Sequence, residues 1–486
     1  MAATTQGSIA SIGTGGVNTL VASSAVSLSI VTPTPSSEIC LTDTELITPQ
    51  PITGAMPVAT RNLIVKGKCA AEAAVMINGA NAAVSGNDWR ACVPIAQLGE
   101  LKITATSGSS TITTTVKIYE LQITQPAMNQ QFTISAAPSM PEISACAKIV
   151  GLDPDPTAST TFSWELTIGG HYRNRSGWQQ FSYQYTGQTQ GTAPWKPTFN
   201  NVIIGGWGRL QVKSQIGGKE VKSDFRWIDI NGENPSSTVV QQYIRSNGGV
   251  DFDILQKIIH HESLNHQYLQ FRPSAENREP NDNRIPAALT AGSSSGGAPR
   301  QLRPVYGAPP AGIGIAQLDP ASFPDQHWNW ANNVLSACQF YYREKVPIAT
   351  KIYAIEQSRL DTLRTEVLAI ANLARSQQTP PQPALSLSAI KVASQKPFSA
   401  AELRRAKIRA YNGGYNYRLD YTYQLSQDYL TATLAGSGNW VEDPGVSYSQ
   451  SMTTVTIAGK QLALHRFSWQ GLKAARLPYV NNVEAL

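Results

Sequence analysis

The N-terminal half of the chain alternates apolar and polar residues over short segments. Between about residues 55 and 122, segments such as NLIVKGKC at 62–69 are separated by polar turns, one of them Asn78-Gly79. A similar pattern continues from about 123 to 233. Period-two alternation bounded by turn residues predicts half-buried strands, and many short strands in series favour β-sandwiches. We therefore predict two all-β domains, at 55–122 and 123–233.

The first 54 residues do not follow this pattern. They are rich in Ser, Thr, Gly and Pro and show no sustained apolar period. A chain of this composition buries too little apolar surface to build a core of its own. We therefore predict an extended arm at 1–54 that is held by other proteins.

Beyond a turn-rich boundary at residues 231–235, the apolar spacing changes to three and four residues, which predicts helices. Two of the predicted helices cover about 326–345 and 348–376. A third begins at Ser399-Ala400-Ala401-Glu402, a capping-box sequence. The last domain, 234–486, is therefore predicted to be mainly α-helical.

One carboxylate lies on the apolar face of a further helix, predicted within residues 251–266. Leu255, Ile258 and Ile259 mark that face, and Glu262 occupies its next position. Burial disfavours a charged carboxylate and raises its pKa, so Glu262 is a candidate general acid. The same pattern also suits a buried structural glutamate that is paired with a basic side chain.

Four short motifs follow one another in the order found in one enzyme family. They are Glu262-Ser263, GIGIAQ at 312–317, WNWANNV at 328–334, and Ala410-Tyr411-Asn412. This order resembles the lytic transglycosylase branch of the lysozyme superfamily, over roughly residues 236–450. Tyr448 matches the last tyrosine motif of that family.

The resemblance implies a multidomain chain. Two N-terminal all-β sandwiches, which look like bacterial immunoglobulin-like domains, would precede a mainly α, lysozyme-like (α+β) catalytic domain at 234–486. Relative to the compact family pattern, residues 346–398 are a helical insertion that we expect to project from the domain.

The resemblance also assigns roles to the residues of the motifs. Glu262 would be catalytic, and Tyr411 would orient its carboxyl group. Ser263 and Gln317 would hold sugar groups. The remaining residues implied in substrate binding are Asn332, Asn333, Asn412 and Tyr448. The family requires no metal and no cofactor.

The implied reaction is cleavage of the β-1,4 bond between N-acetylmuramic acid and N-acetylglucosamine in peptidoglycan. Protonated Glu262 would give its proton to the glycosidic oxygen while an oxocarbenium-like centre develops. The same residue, now a base, would deprotonate the muramoyl 6-hydroxyl, which closes to 1,6-anhydromuramic acid. One carboxylate is enough because the sugar supplies its own nucleophile.

Two alternatives stay open. A goose-type muramidase would hydrolyse the same bond, and inverting hydrolysis needs a second carboxylate about 6.5–9.5 Å away. Asp282, Asp319 and Asp325 are candidates for that role. The other alternative is a structural tail protein or wall-binding protein with a degenerate lysozyme-like domain.

Other kinds of site have little support in the sequence. His261 and His266 are five residues apart, so they do not share the helix face that a zinc protease motif requires. Five scattered cysteines form no Cys-x-x-Cys pair, although Cys69 and Cys92 are candidates for a disulfide. The net charge is +6, but the basic residues form no dense run, so no nucleic-acid partner is predicted.

A polar stretch at 174–197 carries four aromatic residues, Trp178, Tyr183, Tyr185 and Trp195. One interpretation is a loop on which sugars stack. The other is that these rings pack within their own domain.

The first basic residue is Arg61, so the N-terminus does not match a Sec signal peptide. Residues 17–31 are too short and too rich in serine to span a bilayer. An enzyme that acts on the cell wall would therefore need another route. We predict a virion-associated or injection-device enzyme that acts in the periplasm or cell wall and docks on its carrier through residues 1–54.

Overall fold

The computed structural model describes residues 27–43, 45–49, 61–270, 302–307, 312–394, 396–413, 417–442, 446–471 and 477–486. The described chain is mostly β-sandwich, followed by a smaller helical region.

The first sandwich consists of two sheets that enclose one core. One sheet has the order β1-β4-β8-β7, with β3 also paired to β4, and the other has the order β10-β9-β5-β6, with β2 also paired to β10. Leu63, Trp89 and Val116 are among the buried residues between them. The strands are β1 Ser29–Thr32, β2 Glu38–Cys40, β3 Ile47–Pro49, β4 Arg61–Lys68, β5 Met76–Ile77, β6 Ala80–Asn81, β7 Ala83–Ser85, β8 Asp88–Pro94, β9 Gly99–Ser107 and β10 Ser110–Gln125.

Part of the predicted arm belongs to this sandwich. Strands β1 and β3 pair antiparallel with β4, and β2 pairs parallel with β10. Ile39 and Ile47 are buried in the core although their neighbours are polar. The predicted domain start at residue 55 is therefore wrong, because isolated apolar residues in a Ser/Thr/Pro-rich segment complete a core that other strands begin. Residues 1–26 and 50–60 lie outside the described residues.

The second sandwich shares a strand with the first. Residues 110–118 of β10 pair with β9, and residues 120–125 pair with β12. The predicted boundary at 122/123 therefore falls inside one strand. The remaining strands are β11 Gln130–Ile134, β12 Cys146–Val150, β13 Thr161–Asn174, β14 Gly177–Gln190, β15 Gly206–Ile216, β16 Lys219–Lys222 and β17 Arg226–Gly232. Their sheet has the order β11-β17-β15-β13-β14, with β16 beside β15.

The helical region begins at Ser236, whose side chain caps the first helix. Its helices are α1 Ser237–Asn247, α2 Phe252–Ser263, α3 Asp325–Trp328, α4 Trp330–Phe340, α5 Val346–Ser376, α6 Ala400–Tyr411 and α7 Leu477–Ala485. A π-helical turn at Tyr341–Lys345 joins α4 to α5. The capping box at the start of α6 is confirmed, because Ser399 and Glu402 accept hydrogen bonds from each other's backbone N–H.

The insertion at 346–398 differs from its prediction. Helix α5 does not project. Ile352 and Val367 are buried against residues that follow α6, among them Trp440. The described residues of 377–399 add a 3₁₀ turn at Leu387–Ala389. The strands that complete this part are β20 Tyr417–Leu419, β21 Thr422–Leu425, β22 Ala432–Ala435, β23 Trp440–Glu442, β24 Val446–Ile457 and β25 Lys460–Gly471.

The second sandwich and the helical region share a hydrophobic core. Two short antiparallel strands, β18 (Tyr268–Gln270) and β19 (Leu302–Pro304), pair with each other. The first supplies Tyr268, and α3 supplies Trp328, to the buried cluster of the sandwich. The indole Nε1 of Trp330 donates to Ala136 O at 2.7 Å. Arg303 pairs with Asp229 of β17 at 2.7 Å. These contacts make the second sandwich part of the body that holds the helices.

Two further expectations can be compared with the structure. All five cysteines are free, so the bridge between Cys69 and Cys92 is wrong. Cys69 faces the core whereas Cys92 is exposed on β8. In the described parts of the chain, no helix combines the length and the apolar character needed to cross a bilayer.

Candidate active site

Glu262 lies in the last turn of α2, where the helix passes from core to surface. Leu255, Ile258 and Ile259 are fully buried, as their spacing predicts. Glu262 itself is half-buried, and its carboxylate Oε1 accepts a hydrogen bond from the hydroxyl of Tyr479 at 2.6 Å. Burial raises the pKa of Glu262, and this outweighs the lowering by the Tyr479 hydrogen bond and by nearby His261. The site therefore favours a carboxyl group that keeps its proton to higher pH than an exposed glutamate.

Tyr479 is the tyrosine that contacts the acid, and the sequence prediction did not include it. It lies on α7 with Val480 and Val483, all buried against α2 and its neighbours. The apolar spacing of these three residues marks a buried helix face and is the signal that would have located it. Tyr448 instead lies on β24, where it pairs with Trp469 of β25, and its side chain is outside the described part of the chain.

Ser263 and Tyr411 hold the turn at 312–318 against the helices. The hydroxyl of Ser263 donates to Ile315 O at 2.6 Å, and that of Tyr411 donates to Ala316 O at 2.8 Å. The predicted hydrogen-bonding partner of Tyr411 was the Glu262 carboxyl, but the observed one is a backbone carbonyl. Burial raises the pKa of Tyr411, and the negative charge of Glu262 raises it further. It therefore stays protonated and remains a donor.

Two buried side-chain amides also hold this turn. Gln267 Oε1 accepts from Ile315 N–H at 2.8 Å, and Asn333 Oδ1 accepts from Ala316 N–H at 2.9 Å. Both side chains are fully buried. Gly314 has φ +74°, and a Cβ there would lie 2.5 Å from Asn333 Nδ2 and 2.7 Å from Gln267 Nε2. The turn therefore requires glycine at this position.

The predicted substrate-binding residues differ in their exposure and in their hydrogen-bonding partners. Gln317 is half-buried at the end of the turn, with φ +49° and its Nε2 donating to Gly314 O at 2.8 Å. Asn412 is exposed at the C-terminal end of α6. Asn333 is buried and binds backbone, so it supports the turn. Asn332 donates to Asp325 Oδ1 at 2.6 Å near the start of α4.

The candidate second carboxylates have other partners. Asp319 pairs with Arg175 at 2.8 Å, and Asp325 accepts the hydrogen bond from Asn332. Asp282 lies outside the described residues, as does most of the 267–311 loop. The hydrogen bond that the described structure gives to the Glu262 carboxylate comes from Tyr479.

The histidines of α2 and its C-terminal end point to different neighbours. His260 Nδ1 lies 3.0 Å from Asn265 Nδ2, and His266 Nδ1 lies 3.1 Å from Ser263 O. His261 contacts the ring of Tyr479 edge-on at 5.0 Å between centroids. Within the described ranges, no group of three or more His, Cys, Asp or Glu residues is placed to hold a metal ion.

No family model and no curated protein matches the chain. Among solved structures, dimeric latent PorU from Porphyromonas gingivalis is 9% identical with a TM-score of 0.16, and the match covers 46% of this chain and 22% of that chain. Tandem immunoglobulin repeats of Dlar are 9% identical with a TM-score of 0.13, and the match covers 43% of this chain and 100% of that chain. Domains 5–6 of the S-layer protein SbsC are 12% identical with a TM-score of 0.12, and the match covers 42% of this chain and 98% of that chain. At these TM-scores the likeness carries no argument about function.

Proposed function

We propose that this protein is a lytic transglycosylase of peptidoglycan. It would cut the β-1,4 bond between N-acetylmuramic acid and N-acetylglucosamine and leave 1,6-anhydromuramic acid. The observation that carries the proposal is the environment of Glu262: a half-buried carboxyl with a raised pKa, held by the Tyr479 hydroxyl beside the turn that ends at Gln317.

The chemistry follows from that environment. Burial raises the pKa of Glu262, so its carboxyl keeps its proton to higher pH than an exposed glutamate and can protonate the glycosidic oxygen as the bond breaks. Its conjugate base can then take the proton of the 6-hydroxyl on the same sugar, which attacks the anomeric carbon. The Tyr479 hydrogen bond keeps the carboxyl in one orientation in both protonation states, because a carboxylic acid and a carboxylate both accept from a phenol.

Two of the three candidate second carboxylates have other partners in the described structure, which favours the transglycosylase over the inverting hydrolase. An inverting enzyme needs a base that can activate water across the sugar ring. Asp319 and Asp325 already bind Arg175 and Asn332, so neither is a carboxylate without a partner. The intramolecular route needs neither of them.

Mass spectrometry of digested peptidoglycan tests the proposal. We expect muropeptides that end in 1,6-anhydromuramic acid, each one water lighter than the hydrolysed form. Glu262→Gln should abolish product release without loss of fold, while Asp319→Asn and Asp325→Asn retain it. Reducing-end products that disappear in either aspartate variant would establish the hydrolase instead, and full activity in a folded Glu262→Gln protein would reject both.

We further propose that a virion or injection device carries the enzyme to the wall. The two fused sandwiches would then place the helical region away from the point of attachment. Because residues 29–49 supply strands to the first sandwich, the docking segment would lie before residue 29.

A further inference from the structure

The hairpin of β13 and β14 extends from the second sandwich to the candidate active site. At its turn, Arg175 Nε donates to Asp319 Oδ1 at 2.8 Å and its Nη2 donates to Asp319 O at 3.3 Å. Asp319 follows directly on the turn at 312–318. Two hydrogen bonds from one guanidinium fix direction as well as distance. The tip of the hairpin is therefore held beside Gln317.

An aromatic contact continues from this anchor. The ring of Trp178, the second residue of β14, meets the ring of Tyr306 edge-on, with 5.2 Å between centroids. Tyr306 forms a bridge with Ile313, and the next residue, Gly307, donates its N–H to Gly312 O at 2.8 Å.

Gln317 closes the series of contacts. Its side-chain oxygen packs so closely on Gly307 that a Cβ at that position would collide with it. Contacts therefore run without a gap from Gln317 through Gly307 and Tyr306 to Trp178.

The other aromatic residues of the 174–197 stretch pack within the protein. Trp195 is buried and stacks on Trp164 at 5.9 Å, and Tyr185 packs on Phe199 at 4.9 Å. Trp178 is half-buried at the end of the hairpin that faces the catalytic turn. Of the two interpretations of this stretch, packing within the protein holds for Tyr183, Tyr185 and Trp195, while the ring of Trp178 is partly exposed.

We propose that Trp178 and Tyr306 form a further saccharide subsite, next to Gln317, for the N-acetylhexosamine units of a glycan strand. This inference rests on the proposed function. Half-exposed aromatic rings offer a flat apolar surface to the C–H face of a pyranose, while amides such as that of Gln317 bind its polar groups. The second sandwich is then part of the substrate-binding surface, and the enzyme prefers strands long enough to reach Trp178.

Strand length provides the test. Peptide-free glycan strands are separated into a short and a long fraction, and kcat/KM is measured on each. Trp178→Ala should lower the ratio of kcat/KM on long strands to that on short strands about tenfold, which corresponds to about 1.4 kcal/mol. Trp178→Phe, which keeps a flat ring, should restore most of the ratio. Gln179→Ala is the matched control, because alternation along the strand places its side chain on the opposite face.

The outcomes separate the subsite from the reaction. An unchanged ratio in Trp178→Ala, or an equal loss on both fractions accompanied by a lower Tm, overturns the subsite. Tyr306→Ala should give the same length-selective loss, so the test does not depend on one variant folding.

Calorimetric binding of both fractions to Glu262→Gln completes the test. If the wild-type protein releases no product but Glu262→Gln prefers long strands, and loses that preference when Trp178→Ala is added, the reaction is wrong and the subsite stands. If the wild-type protein cleaves both fractions and no binding preference depends on Trp178, the subsite is wrong and the reaction stands.

Discussion

Removal of the Tyr479 hydroxyl should change the acidity of Glu262 in a direction that the structure fixes. The hydroxyl donates to Glu262 Oε1 at 2.6 Å, and this bond lowers a pKa that burial raises. In Tyr479→Phe the burial remains and the donor is lost. The carboxylate form therefore loses support, and the pKa of Glu262 rises further.

The size of the effect follows from one hydrogen bond to a charged group. Such a bond contributes about 1.5 kcal/mol or more. A change of about 1.4 kcal/mol in the free energy of ionisation is tenfold in the acid dissociation constant. If protonated Glu262 is the general acid, activity falls as pH rises through its pKa. The basic limb of the pH profile should thus move upward by about one pH unit.

The assay is kcat/KM for release of soluble muropeptides across the pH range in which the protein is folded. Tyr411→Phe is the matched control, because Tyr411 is a half-buried tyrosine of the same site that donates to Ala316 O instead of to the acid. It should lower activity through the turn at 312–318 but leave the basic limb in place. A basic limb that stays fixed or moves downward in Tyr479→Phe would refute the assignment of Tyr479 as the group that tunes Glu262.

Three further outcomes can be measured. Glu262→Gln should raise Tm at neutral pH and not at acidic pH. A carboxyl whose pKa is raised in the folded state destabilises the fold only at pH values above its pKa in the unfolded state. Thermal melts at both pH values check the sign. Asn333→Ala should cost about 2–3 kcal/mol in denaturant unfolding, since it leaves the buried Ala316 N–H without its acceptor, and a loss below 0.5 kcal/mol would contradict that role. Deletion of residues 1–26 should leave activity on purified peptidoglycan intact and remove the protein from assembled particles. If the protein without residues 1–26 still copurifies with particles, the docking segment is rejected. Deletion through residue 49 should in addition lower Tm, because it removes β1, β2 and β3.

Local patterns predicted the elements that carry their own signals. The apolar face of α2, the capping box of α6 and the alternating strands of both sandwiches depend on residues close in sequence. Ile39 and Ile47 carry no such signal, because each fills a core that is defined by strands far along the chain. The same limit applies to the candidate site.

Within the site, Glu262 could be predicted as the candidate acid because its position on a helix face is a local property. Asn333 was expected among the substrate-binding residues because of its motif, but the fold buries it completely, and it holds the turn. Tyr479 reaches the acid from 217 residues away along the chain, and only the docking of α7 on α2 brings the two together. Pairing at that separation depends on tertiary packing, which periodicity does not encode.

Strand β10 also has a mechanical meaning. One continuous strand carries hydrogen bonds in both sandwiches, and the second sandwich shares its core with Trp328 and Tyr268 of the helical region. The first sandwich and the helical region are therefore joined through paired backbone and a shared core. A partner that binds the first sandwich would thereby also set the orientation of the helical region that holds Glu262.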